Sequence, residues 1–148
     1  MRSKLRWIAP MFLLASVLAA CGGDDADSGS GTDGPRTIEI AALDELAYEP
    51  ASVEVTAGEA ILFVVTNEGE NEHEFVVGDA EMQEMAEEQA MEGMHGHVEA
   101  MATLLLPPGE TAETTVTFDE PGELSYACHL ARHFEGGMVG TITVSSPS

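Results

Sequence analysis

The stretch Tyr126-Ala127-Cys128-His129-Leu130-Ala131-Arg132-His133-Phe134-Glu135-Gly136-Gly137-Met138-Val139-Gly140 decides how the rest of the chain is read. It sets a thiol, an imidazole and a thioether in the spacing Cys-x4-His-x4-Met, on what reads as one loop joining two strands. Three such side chains on a short loop can converge on one metal while a fourth ligand arrives from elsewhere. Soft sulfur with imidazole selects copper, and two histidines, one cysteine and a weak axial methionine make the trigonal blue-copper arrangement. Zinc also takes cysteine and histidine, but structural zinc favours four strong ligands, and a thioether is not one. The second histidine is His73, in Asn67-Glu68-Gly69-Glu70-Asn71-Glu72-His73-Glu74-Phe75, at the start of a strand.

Outward from the loop, the pattern is one of short strands. Thr37 to Ile40 and Ser52 to Thr56 alternate, and Ala60 to Thr66 is a continuous apolar run closed by Asn67-Glu68-Gly69. Glu74 to Gly78, Thr103 to Leu106, Thr111 to Phe118, Leu124 to Ala127 and Val139 to Val144 follow, most of them bounded by Pro, Gly or Asp. Short strands at this spacing predict an all-β antiparallel sandwich. There is no internal repeat.

At this point the sequence resembles the cupredoxin family, in particular the small single-domain branch with plastocyanin, azurin and auracyanin. The likeness covers about residues 37 to 145 apart from one insertion, and the C-terminal loop is its most specific part. The resemblance implies a Greek-key β-sandwich and one type 1 copper held by His73, Cys128, His133 and Met138. Azurin and plastocyanin carry an asparagine after the first histidine ligand, whose backbone hydrogen-bonds the cysteine sulfur. Here that place holds Glu74, which keeps the backbone donor. Four ligands leave no obvious open position for a substrate, so the expectation is a one-electron carrier outside the cytoplasm and not an enzyme. By resemblance, His133 is the electron exit, with Leu130, Phe134 and Met138 forming an apolar patch around it. In copper nitrite reductases and multicopper oxidases a histidine beside the type 1 cysteine links to a second copper cluster. His129 holds that place, yet the chain has room for one such domain only, so His129 reads as an exposed or structural histidine. Its side chain should point away from the thiolate side. His95-Gly96-His97 is the single His-x-His, too few for a trinuclear cluster.

Residues 80 to 101 do not fit the strand pattern. They are rich in alanine and straight-chain residues up to Gly93, which predicts a helical insertion between two strands. Met82, Met85, Met91, Met94 and Met101, with His95 and His97, are soft enough to bind Cu(I). At about 100° per residue, Met82 and Met85 lie roughly 60° apart while Met91 sits about 180° from Met82, so no single core-facing stripe forms. Two readings of the insertion stand: adaptable packing or a lid, and extra copper sites. The second supports an alternative function, an extracytoplasmic copper-binding or resistance protein that buffers copper or passes it between a donor and an acceptor.

The N-terminus carries its own signals. Arg2, Lys4 and Arg6 precede the apolar run Trp7 to Ala20, the order of a secretory signal over residues 1–20. The run is too short for a confident membrane span. It ends Leu18-Ala19-Ala20-Cys21, which resembles the bacterial lipobox and implies a lipid on Cys21. Residues 21–36 read as a flexible acidic Gly/Ser tether, with a reach of roughly 20 Å for about 15 residues, and 37–148 as the folded domain. The lipid would be the only membrane attachment, at the periplasmic or outer face. Beyond residue 20 only Arg36 and Arg132 oppose the chain's 27 acidic residues. That balance excludes a nucleic-acid binder, which needs clustered Lys and Arg. A basic redox partner such as a c-type cytochrome suits it, because opposite charge raises the encounter rate.

Overall fold

In a computed structural model the described residues are 34–93 and 100–148. Cys21, the leader and most of the tether lie outside them, as do Met94, His95 and His97. The strands are β1 (Arg36–Leu43), β2 (Ala47–Glu49), β3 (Ser52–Thr56), β4 (Ala60–Asn67), β5 (His73–Gly78), β6 (Ala102–Leu106), β7 (Thr111–Thr117), β8 (Gly122–Ala127) and β9 (Val139–Ser145). A helix, α1 (Ala80–Met91), follows β5, and a 3-10 turn, Leu130–Arg132, follows β8.

Two sheets form the sandwich, one in the order β2-β1-β4-β7 and the other β3-β9-β8-β5-β6. The core between them is built from alternating residues, as in β4, where Ile61, Phe63 and Val65 are fully buried. Phe75 on β5 meets Tyr48, Phe63 and Tyr126 at ring-centroid distances of 5.9, 5.5 and 5.1 Å.

The sheets are mixed, which corrects the antiparallel expectation. β1 runs parallel to β4, from Arg36 opposite Ile61 to Ala42 opposite Asn67, and β3 runs parallel to β9. Alternation reports which face of a strand is buried and is blind to strand direction, which the crossovers between sheets decide. The sequence reading also lacks β2, whose three residues are too few to show a period.

The predicted helix is present and ends where expected, with Gly93 at φ 81° just past it. Asp79 caps its start, its side chain accepting from Met82 N–H at 2.8 Å. The helix packs across β5 and β8, so all six residues of β5 are buried. The residues it buries are Gln83 and Ala86, not its methionines. Met82 is half-buried against Gly78, whereas Met85, Met91 and Met101 are 38%, 69% and 38% exposed. Packing therefore accounts for Met82 and leaves the other three described methionines of the insertion on the surface. Among the described residues no helix is long and apolar enough to cross a membrane.

Candidate metal centre

His73 opens β5, Cys128 follows the last residue of β8, and His133 stands in the turn after it. One ligand atom from each lies within 4.8 Å of the others. Cys128 Sγ is 3.3 Å from His133 Nδ1, and the two imidazole centroids are 5.1 Å apart. Met138 is fully buried at the far end of the same loop. The loop is closed by its own backbone: Cys128 N–H donates to Met138 O at 3.2 Å and Met138 N–H to His133 O at 3.0 Å. The spacing of three potential ligands on one loop is thus a consequence of two backbone bonds that fold the loop back on itself.

The His73 segment is held by residues with no metal chemistry of their own. Asn67, fully buried, donates through Nδ2 to Asn71 O at 2.7 Å and Leu106 O at 2.8 Å, and accepts from Gly69 N–H at 2.9 Å. Asp44, in the turn between β1 and β2, accepts from Glu70 N–H, Asn71 N–H and Asn71 Nδ2 at 2.8, 3.1 and 2.9 Å. These bonds hold its carboxyl down at about 2. A Cβ at Gly69 would stand 2.3 Å from Asp44 Oδ1, so only glycine lets the two segments meet. Leu46, in the same turn, fills the equivalent space over Gly136 on the C-terminal loop. Neither Asp44 nor Leu46 was legible as part of a site, because a turn of Asp-Glu-Leu carries no ligand spacing and the β2 hairpin that directs it was not visible.

The donor set fits a soft metal. Both nitrogens of His73 are buried with no hydrogen-bond partner among the described residues, which is costly for a polar group unless something else occupies them. Nε2 faces Asp44 Oδ1 at 3.6 Å, beyond hydrogen-bond length, which leaves Nδ1 for a metal. Burial lowers the pKa of His73, and burial with the neighbouring His73 lowers that of His133, so both rings are held neutral, the form that binds metal. Burial pushes the Cys128 thiol up to about 11, partly offset by the backbone of Glu74 and Leu130. Glu74 N–H donates to Cys128 Sγ at 3.2 Å, so the donor expected beside the first histidine is in place. Glu74 is itself buried, and its carbonyl accepts from Tyr48 Oη. A cation replacing the thiol proton would relieve the burial cost of the thiolate.

One surrounding differs from the sequence reading, and one is settled between its two alternatives. Met138 is fully buried and contributes nothing to a surface patch; Leu130, His133 and Phe134 are half-buried there. His129 is structural, as one reading had it, and not exposed. It is 2% accessible, its ring stacked 4.7 Å from that of Phe134.

This geometry is that of a blue-copper domain, and comparison with known proteins agrees. The chain belongs to the plastocyanin/azurin family of copper-binding proteins, whose pattern its residues 37–145 match. It is 34% identical over 138 residues to the copper-resistant cuproprotein CopI of Pseudomonas aeruginosa, covering 74% of this chain and 76% of that one. It is 35% identical over 136 residues to CopI of Rubrivivax gelatinosus, covering 87% and 81%. Among solved structures, dithionite-reduced auracyanin from Roseiflexus castenholzii superposes with a TM-score of 0.66 at 27% identity, over 76% of this chain and 99% of that one. Copper is accordingly the cofactor, and the His73, Cys128, His133 cluster is compatible with a type 1 site.

Proposed function

We propose that His73, Cys128, His133 and Met138 hold one type 1 copper and that the protein serves copper tolerance outside the cytoplasm. The observation that carries the ligand assignment is the convergence of the three strong donors around a buried histidine whose two nitrogens have no hydrogen-bond partner among the described residues. Bound there, the ion supplies a one-electron Cu(II)/Cu(I) couple. The sandwich holds His73 and Cys128 at the ends of paired strands, which keeps the donors in nearly one geometry for both oxidation states. The tolerance role rests on similarity to the CopI proteins. The exposed Met85, Met91 and Met101 are soft groups available to Cu(I) in that role. Four ligands leave no site for a substrate, which favours binding over catalysis.

The second reading is a one-electron carrier, favoured by the likeness to auracyanin and by half-buried His133 beside Leu130 and Phe134. An acidic surface then speeds encounter with a basic partner such as a c-type cytochrome. Export and a lipid on Cys21 complete either reading.

Visible and EPR spectra of the copper-loaded domain test the site: a blue or green thiolate charge-transfer band is expected, kept with a shifted potential in Met138→Leu. A colourless Cu(II) form would refute the assignment. Deleting the gene separates the two roles. Tolerance predicts copper-sensitive growth restored by the intact gene, whereas a carrier predicts salt-dependent reduction by a cytochrome and unchanged growth on copper.

A further inference from the structure

The helix α1 packs on β5 and β8, and it carries a buried polar contact made by residues outside the ligand set. His129 Nε2 faces Gln83 Oε1 at 2.8 Å and His129 Nδ1 faces Glu87 Oε2 at 2.9 Å. The Gln83 amide is oriented by its other end, where Nε2 donates to Val76 O at 2.9 Å and Ser125 O at 3.2 Å. With its nitrogen committed to two carbonyls, the amide can present only its oxygen to His129, so His129 donates there. Glu87 supplies an acceptor at the second ring nitrogen. Every polar atom of His129 and Gln83 is thereby engaged although both residues are nearly inaccessible. A buried glutamine facing inward from a helix is uncommon, and a fully satisfied buried network specifies one arrangement.

The placement of this network ties it to the copper ligands. The β5–β8 ladder runs only from Gly78 opposite Ser125 to Val76 opposite Ala127. There the backbone pairing ends in a fork, β5 running back to His73 and β8 on into Cys128, bridged by the Glu74 N–H to Cys128 Sγ bond. Gln83 binds one carbonyl on each strand, Val76 at that fork and Ser125 at the other end of the short ladder, and His129, the residue after Cys128, is pinned to the same helix.

We infer that Gln83 and Glu87 are positioning residues for the metal centre: through His129 and the β5–β8 fork, α1 fixes the backbone that presents Cys128. This rests on the type 1 copper reading above. The insertion is then a clamp on the cysteine ligand and not a removable loop.

The test compares Gln83→Ala and Glu87→Gln with Glu88→Gln, an exposed control on the same helix that also loses one charge. In the metal-free full chain, amide exchange at residues 127–129 should quicken about tenfold in Gln83→Ala, the factor that follows from losing about 1.4 kcal/mol of hydrogen bonding. Glu87→Gln should give a smaller rise and Glu88→Gln none. In the copper-loaded chain, the first two variants should shift the thiolate charge-transfer band and the midpoint potential, while the control matches the wild type. Unchanged exchange in Gln83→Ala would overturn the clamp. Faster exchange with an unaltered band and potential in both variants would show a merely structural helix and overturn the positioning role. Should Gln83→Ala fail to fold, Glu87→Gln decides by the same two readouts. A wild-type protein with no charge-transfer band would instead overturn the copper reading, an outcome distinct from a coloured wild type whose variants do not change.

Discussion

His73 and His129 flank Cys128, both almost inaccessible, and they are in opposite conditions. Among the described residues His73 has two buried nitrogens with no hydrogen-bond partner, and His129 has an oxygen at each nitrogen. Burial alone therefore does not distinguish a ligand from a structural histidine. The difference lies in what the neighbouring elements bring: β1–β2 and the Asn67 loop surround His73 without hydrogen-bonding its ring, whereas α1 saturates His129. A lone pair left idle in the core is available to a metal, and one already bonded is not.

The contrast breaks most sharply at Cys128. Cys128→Ser should abolish the visible charge-transfer band completely, because the band belongs to the thiolate, and absorption spectra of the Cu(II)-loaded variant check it. Next comes the pair itself. His73→Ala should also lose the type 1 spectrum, with a stability loss limited to the cavity left by the buried ring, since no hydrogen bond to a described residue is broken. His129→Ala should keep a coloured, shifted centre and lose about 1–3 kcal/mol of stability by stranding Gln83 and Glu87. Urea melts of both metal-free variants beside their spectra decide this, and equal behaviour would erase the distinction.

Asp44 sharpens the comparison at its weaker edge. Its carboxylate faces His73 Nε2 without a formal bond and ties down residues 70 and 71. Partners of ligating histidines are worth about 10–100-fold in metal affinity, so Asp44→Asn should weaken copper about tenfold, read by competition titration. The corresponding change at Glu87 should leave affinity nearly unchanged and act on spectrum and potential.

The pH dependence of the metal-free domain is a further check. Both potential ligand histidines titrate below 6.5 when folded, so below about that pH the unfolded chain binds more protons and the metal-free protein loses stability as pH falls. Cys128 acts in the opposite direction: raised from 9.0 to about 11, it contributes stability that is present below 9.0 and is lost as pH rises toward 11. The metal-free domain should therefore be most stable between about pH 6.5 and 9, measured by urea midpoints across that range.

The sequence by itself determined the chemistry of the C-terminal loop, the partner histidine, most of the strands and the extent of the helix. These are local matters: ligand spacing, alternation at period two, and a glycine that ends a helix are all written in neighbouring residues. The tertiary structure decided what depends on residues far apart in the chain. It made two strand pairs parallel, and it brought Asp44 and Leu46 from an unremarked turn against both ligand segments. It also turned the helix so that Gln83 and Ala86, and not the methionines, face the sheet. His129 shows the physical reason most plainly. Its residue type and its place after Cys128 were visible from the start, but whether its nitrogens were free or bonded depended on Gln83 and Glu87, more than forty residues earlier.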